Sequence, residues 1–269
     1  MKIQSGVLDA ASQQPSPNVG GAITPAVIVM HYTAGYTASS AIQTFLDSGS
    51  RVSAHFVVDL DGAITQMVDC DRAGWHAGPS TWDGRAGVNN FSVGIEIVNP
   101  GFFRRDGDQF VDAYGKRPPK AFLEQCPGYI DAPDARAGSG TFAWPLYREE
   151  QLAAVDGICA ALTAAYPSIR GVTGHRDIDN RGWKLDPGPA FPMRRYQRLF
   201  NVRDDAPDEA IVNTAVLNVR DAPSPKGAKI GELRRGARVT VLAASGDWRR
   251  IDGPAKADGW VHGSFLTGA

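Results

Sequence analysis

Five histidines occur in the 269 residues, and two of them stand where apolar segments end. His31 follows Ala26-Val27-Ile28-Val29-Met30, and His175 follows Gly171-Val172-Thr173-Gly174. Strand ends in α/β sheets are where ligand sites collect. Asp186 comes eleven residues after His175, inside Lys184-Leu185-Asp186-Pro187-Gly188-Pro189. Two imidazoles and one carboxylate make the three-ligand set of a catalytic zinc centre whose fourth position stays open. Spacing alone leaves a second reading. An aspartate before Pro-Gly-Pro starts a turn or caps a helix, and His31 is then an ordinary half-buried histidine. Glu96 lies between Ile95 and Ile97 in a segment with the pattern of an interior strand. A carboxylate there needs a cation, a proton or a metal-bound water close by, and beside a Lewis acid it is the base that metal-assisted hydrolysis requires. On an outward-facing position it is only a surface glutamate. Lys184 precedes Asp186 by two residues, so in an extended segment both side chains point the same way. Such an ammonium either stabilises an oxyanion or is a surface lysine.

The elements that must position these residues are legible in outline. Residues 26–31 and 92–98 read as strands, and 54–58 with 64–68 flank the turn signal Asp59-Leu60-Asp61-Gly62 as a hairpin. Residues 39–46 place Ile42, Phe45 and Leu46 on one helical face. The stripe Leu152, Val155, Ile158, Cys159, Leu162 and Tyr166 marks a helix over 149–166 that Pro167 ends. A last short helix is expected over 191–200. Intermixed strands and helices predict an α/β fold, a central mixed sheet flanked by helices. Residues 100–147 are rich in Pro and Gly with little periodicity and read as a long loop region. Residues 1–24, rich in Gln, Pro and Ser at their start, read as a loose N-terminal arm. Residues 201–210 read as a linker. The last 59 residues alternate short apolar segments with Gly, Pro and Asp turns, the pattern of a small all-β barrel.

Composition excludes some classes. The net charge is −1, which argues against a generic nucleic-acid binder. The longest unbroken aliphatic run has five residues, 26–30, where a bilayer span needs roughly twenty, so no integral membrane contact is expected. Charge divides unevenly: residues 211–269 carry nine Lys/Arg and five Asp/Glu, the remainder 19 and 24. A small basic module beside an acidic one either meets an anionic surface or has a solvated basic face. Cys70, Cys126 and Cys159 are odd in number and outside any CxxC pair, which argues for small apolar residues and a reducing compartment of synthesis. The start of the sequence lacks an apolar signal-peptide core.

Six blocks in order, AVIVMHYTAG, SAHFVVDLDGAITQMV, GWHAGPSTWDGR, NNFSVGIEIVN, YREEQLAAVDGICAAL and GHRDI with WKLDPGPAF, resemble the type 2 zinc-dependent N-acetylmuramoyl-L-alanine amidases, the phage-lysozyme and recycling-amidase family. The resemblance spans about residues 25–200. It implies a zinc ion held by His31, His175 and Asp186, a catalytic acid/base at Glu96 and a transition-state lysine at Lys184. It also implies that Trp75 and His76 line the substrate cleft and that His55 supports the sheet behind it. Residues 100–147 depart from compact members, and either wall the cleft or form an inserted surface loop.

The blocks LNVRDAPS, IGELRRGARVTVL and GWVHGSFL, over residues 211–269, resemble bacterial SH3 domains. That resemblance implies a module that binds cell-wall peptide or positions a hydrolase. Trp248 and Trp260 are either its contacts or barrel core, and His262 is structural. Together the two resemblances imply hydrolysis of the bond between N-acetylmuramic acid and L-alanine in peptidoglycan or muropeptides. An endolysin or secreted effector, made in the cytoplasm and acting in the periplasm or wall after release or non-classical export, ranks first. The alternatives are a cytosolic muropeptide-recycling amidase, a non-catalytic recognition protein, and an adaptor whose SH3-like module carries the function.

Overall fold

The computed structural model describes residues 1–200, 209–252 and 258–267. All but the last two residues of the expected linker lie outside them. The chain divides into two units, Met1–Phe200 and Asn201–Ala269. The strands of the first unit used below are β1 (Ser12–Gln13), β2 (Val27–Tyr32), β3 (Phe56–Val58), β4 (Ile64–Gln66), β5 (Ser92–Ile97), β6 (Phe103–Asp106), β7 (Gln109–Asp112), β8 (Tyr129–Pro133), β9 (Thr141–Pro145) and β10 (Val172–Gly174). Its helices are α1 (Ala38–Leu46), α2 (Lys120–Gln125), α3 (Glu149–Ala165), α4 (His175–Ile178) and α5 (Met193–Gln197).

The central sheet has the order β10-β2-β5-β3-β4-β1. The pairs β10/β2, β2/β5 and β5/β3 are parallel, β3/β4 is the antiparallel hairpin, and β1 joins β4 in parallel. This is the mixed sheet expected of the α/β class. Side chains alternate between its faces. Ile28, Met30, Val93, Ile95 and Ile97 pack with Leu152, Val155, Ile158, Cys159 and Leu162 of α3. Val27 and Val29 point the other way, onto Val88, Phe91 and Ile178. By that period His31 and Glu96 fall on the face away from α3.

Helix α3 starts where Glu149 and Glu150 favour the positive end of its dipole. Gln151 accepts the Arg148 amide proton at 3.1 Å and donates to the Val98 carbonyl at 2.8 Å, tying the helix to the end of β5.

Three expectations need correction. The N-terminal stretch is not loose. Gln66 accepts the Leu8 amide proton at 2.8 Å and donates to the Gly6 carbonyl at 2.7 Å, and Leu8 is buried in the main core. Residues 100–147 are not a long loop either. They hold α2 and an antiparallel sheet of order β7-β6-β9-β8. Phe142 and Trp144 of β9 join Phe102, just before β6, in one apolar cluster, while Phe103 of β6 and Ala143 of β9 meet Phe122 of α2 in another. In α1, Ala38 and Phe45 take the buried side, and Leu46 is exposed because the helix ends there.

The described residues of the second unit are all-β. Among them seven antiparallel strands surround a core that includes Val212, Leu217, Val219, Leu233, Val241, Ile251 and Val261. Trp248 and Trp260 are half-buried and outside that core cluster. His262 stacks edge-on against Trp248 at 5.4 Å, and its Nδ1 lies 2.8 Å from Ser264 Oγ. Cys70 and Cys159 are buried, Cys126 is half-buried, and all three are free thiols. Among the described residues no helix is long and apolar enough to cross a membrane.

Candidate active site

Three adjacent parallel strands end at one edge of the sheet. Register sets Glu96 of β5 beside His31 of β2, and Gly174 of β10 beside Met30, so His175 arrives next to His31. The segment after α4 returns to the same edge with Lys184 and Asp186. His31 Nδ1 lies 2.8 Å from Asp186 Oδ2, His175 Nδ1 lies 3.0 Å from the same oxygen, and the two nitrogens are 3.1 Å apart. All three residues are buried.

The outer nitrogens decide what that triangle can hold. His175 Nε2 faces the Ala77 carbonyl at 3.3 Å. A carbonyl only accepts, so Nε2 carries the proton and Nδ1 presents a bare lone pair to a carboxylate oxygen. A single proton on His31 Nδ1 would leave that His175–Asp186 edge repulsive, whereas a cation satisfies all three atoms. With His31 Nδ1 also bare, its Nε2 donates to His76 Nδ1 at 3.0 Å, and His76 Nε2 donates to Ser92 Oγ at 3.2 Å. Outer-shell partners of this kind fix ring orientation in metal sites. The residues present therefore fit a divalent cation.

Electrostatics agree with that reading. Burial lowers the His31 imidazole to about 4, with the neighbouring His175 adding to the effect. It drives His76 well below its ordinary value too, helped by the charges of His31 and His55. Burial alone would raise the Asp186 carboxyl, but the close approach of His175 and His31 outweighs it and holds the group well below the usual range, so the carboxylate is ionised beside them. Glu96 moves oppositely. Desolvation, then the charge of Asp186, pushes its carboxyl well above the ordinary value, against the pull of Lys184. Its Oε2 is buried with no hydrogen-bond partner, the sole such side-chain atom among the described residues. An enclosed carboxylate oxygen without a partner, beside a donor triangle, is a group waiting for a proton, a cation or a substrate.

Lys184 is half-buried on the loop between His175 and Asp186. Asp179 builds this loop: its Oδ2 accepts the amide protons of Trp183 at 2.9 Å and Lys184 at 3.1 Å. Although burial opposes it, those amides and the Arg181 guanidinium hold the Asp179 carboxyl at about 2. Asp179 carried no motif, and sequence reasoning missed it.

The two residues expected along a cleft differ in placement. His76 is half-buried, with both ring nitrogens engaged and its ring against β5. A Cβ at Gly94 would meet that ring at 2.5 Å, so only glycine fits there. Trp75 is half-buried. Its amide donates to Ser53 Oγ at 2.9 Å, and its indole Nε1 is 3.3 Å from where a Cβ on Gly20 would stand. His55 is buried behind the site: Nε2 donates to the Arg72 carbonyl at 2.9 Å, and Nδ1 accepts the Gly94 amide proton at 3.0 Å. The inserted sheet packs against the loop that carries Asp186. Leu185 packs on its Phe102, Phe142 and Trp144 cluster, and Trp144 fills the space beside Gly188.

Residues 21–189 match the Amidase_2 family, N-acetylmuramoyl-L-alanine amidase, over more than half of the chain. The chain belongs to this family. Residues 215–267 match the bacterial SH3 domain. The 1,6-anhydro-N-acetylmuramyl-L-alanine amidase AmpD of Escherichia coli is 34% identical over 152 residues, 56% of this chain and 60% of that protein. The N-acetylmuramoyl-L-alanine amidase AmiD of Escherichia coli is 34% identical over 177 residues, 63% of this chain and 51% of that protein. The alignments thus span little more than half the length of these relatives. Among solved structures, a selenomethionine derivative of AmpD superposes with a TM-score of 0.51 and 25% identity, over 74% of this chain and 99% of that one. The amidase match holds both imidazoles, the carboxylates and Lys184, and it ends three residues after Asp186.

Proposed function

We propose that this amidase-family chain uses zinc to hydrolyse the amide bond between N-acetylmuramic acid and L-alanine in peptidoglycan or its fragments. The observation that carries the reading is the convergence of two histidine nitrogens and one carboxylate oxygen beside the unpartnered Oε2 of Glu96. Such a donor set suits zinc. His31, His175 and Asp186 would hold it, their three donor atoms lying 2.8–3.1 Å from one another.

Held by His31, His175 and Asp186, zinc would supply Lewis acidity to the reaction. Glu96 takes the proton of the attacking water at its free Oε2 and returns it to the departing alanine nitrogen. The ammonium of Lys184 adds positive charge where the oxyanion develops. His76 and Ala77 hold the two imidazoles by their far nitrogens, which keeps the near ones bare. Trp75 and His76 flank the approach to the centre as substrate contacts.

We place the action outside the membrane, on the wall, as a lytic enzyme or effector. The support is the joining of an amidase unit to a basic SH3 unit, read as a binder of cell-wall peptide. Similarity to AmpD favours a second reading, soluble anhydro-muropeptides as substrate. Incubation of the full chain with purified sacculi and with soluble anhydro-muropeptides separates the two. Release of L-alanine-terminated peptide is expected to stop with a chelator and return with zinc. Cleavage that a chelator leaves untouched overturns the proposal.

A further inference from the structure

The peptide unit of Lys184 is held from both sides. Its N–H goes to Asp179 Oδ2 at 3.1 Å, and its carbonyl accepts from Arg136 Nη1 at 2.7 Å. The same Nη1 donates to the carbonyl of Arg176 at 2.8 Å. One guanidinium nitrogen therefore bridges the residue after His175 and the residue two before Asp186. Arg136 belongs to neither segment. It lies in the loop between β8 and β9 of the inserted sheet. Asp134, buried in that loop, organises the contact with both oxygens. Oδ1 accepts the Arg136 amide proton at 3.0 Å, and Oδ2 accepts from Arg176 Nη1 at 2.5 Å. The Arg176 amide in turn donates to the Asp186 carbonyl at 2.9 Å.

We propose that Arg136 is a positioning residue of the amidase reaction, acting through Lys184. It touches none of the donor atoms. It closes the loop that carries Lys184 onto the start of α4, and so sets where the ammonium stands relative to Glu96 and the donor triangle. Two carbonyls sharing one planar donor demand the guanidinium geometry, which a lysine ammonium reproduces only in part. The inference rests on the amidase reading above, but its physical half, a clamped loop, does not.

The test uses the full chain, a soluble N-acetylmuramoyl-L-alanyl peptide as substrate, and a double-mutant cycle of Arg136→Ala with Lys184→Ala. Arg136→Ala is expected to lower kcat about tenfold or more with KM within about twofold, as a misplaced catalytic group does. Arg136→Lys recovers part of the loss. In the double variant the losses do not multiply, because both act at one ammonium. Hydrogen exchange over residues 179–188 quickens in Arg136→Ala while that of α3 stays the same. Independent, multiplying losses, or unchanged exchange in the loop, overturn the proposal. A wild-type chain without amidase activity would instead remove the functional reading and leave the exchange measurement to judge the clamp.

Discussion

Strands β2, β5 and β10 deliver His31, Glu96 and His175 by register alone, whereas the inserted sheet of β6 to β9 contributes none of the converging donors. The insert reaches the same centre through an apolar cluster under Leu185, a tryptophan ring against Gly188 and the side chain of Arg136. A parallel ladder fixes neighbouring side chains to within the spacing of adjacent strands, about 4.8 Å, and needs no further device. A loop has no ladder. Asp186 and Lys184 sit on a loop, and precision there is imported from Asp179 and from the insert. The difference teaches that reactive groups on strand ends and reactive groups on loops ask for different kinds of support.

The largest expected effect tests the strand side of this contrast. On the proposed mechanism Glu96→Gln keeps the shape and removes the base, so kcat should fall by about 10²–10⁴ while the content of bound metal stays the same by metal analysis. His175→Ala should lose both metal and activity, since two ligands no longer make the set. If Glu96→Gln turned over substrate at the wild-type rate, the strand edge would be a metal site without a base.

Next in size is the support from the insert. Trp144 is fully buried against Gly188, and truncation to alanine should cost about 3–5 kcal/mol of stability in a urea titration. Ile158→Ala, on the α3 side of the sheet, should cost about 2–5 kcal/mol and leave kcat of the folded enzyme unchanged. Trp144→Ala should lower kcat as well, because the Asp186 loop loses its backing. Equal kcat in the two variants would reduce the insert to a second core with no bearing on the site.

How much of this was legible follows the same division. His31 after an apolar run, Glu96 between isoleucines and the α3 stripe could be read because a strand or helix writes its period into the sequence. The pairing of Glu96 with His31 could not, since register is a property of two segments. The insert was hidden because glycines and prolines at its turns mask short strands, and its two aromatic clusters fall on opposite faces. Arg136 and Asp179 left no signal, as each acts on backbone groups that every residue has. Gly94 was visible within the motif but not its reason, the imidazole of His76 lying across it. Gly6 and Leu8 depend on the side-chain amide of one buried glutamine, Gln66, and β1 on backbone pairing with β4, again contacts between distant segments.

The smallest effect is a pH dependence that belongs to the central sheet. His55 is satisfied only as the neutral imidazole: Nε2 donates to a carbonyl, and Nδ1 accepts the amide proton of Gly94, leaving no place for a second proton. Burial accordingly lowers it from 6.5 to about 4, with the charge of His31 adding to the effect. Above about pH 6.5 the native and unfolded forms are both neutral there. Between 6.5 and 4 the unfolded chain takes up a proton that the native chain refuses, so stability falls as pH falls. From pH 7.5 to pH 5 this one group should remove about 2 kcal/mol. His31 and His76 titrate in the same direction, so the informative quantity is a difference between two proteins. His55→Gln keeps a donor and an acceptor without titrating, and its urea-unfolding free energy should drop less than the wild type over that interval by about 2 kcal/mol. Identical drops would mean that Gly94 and Arg72 do not hold His55 neutral, and that the sheet behind the site is looser than its hydrogen bonds require.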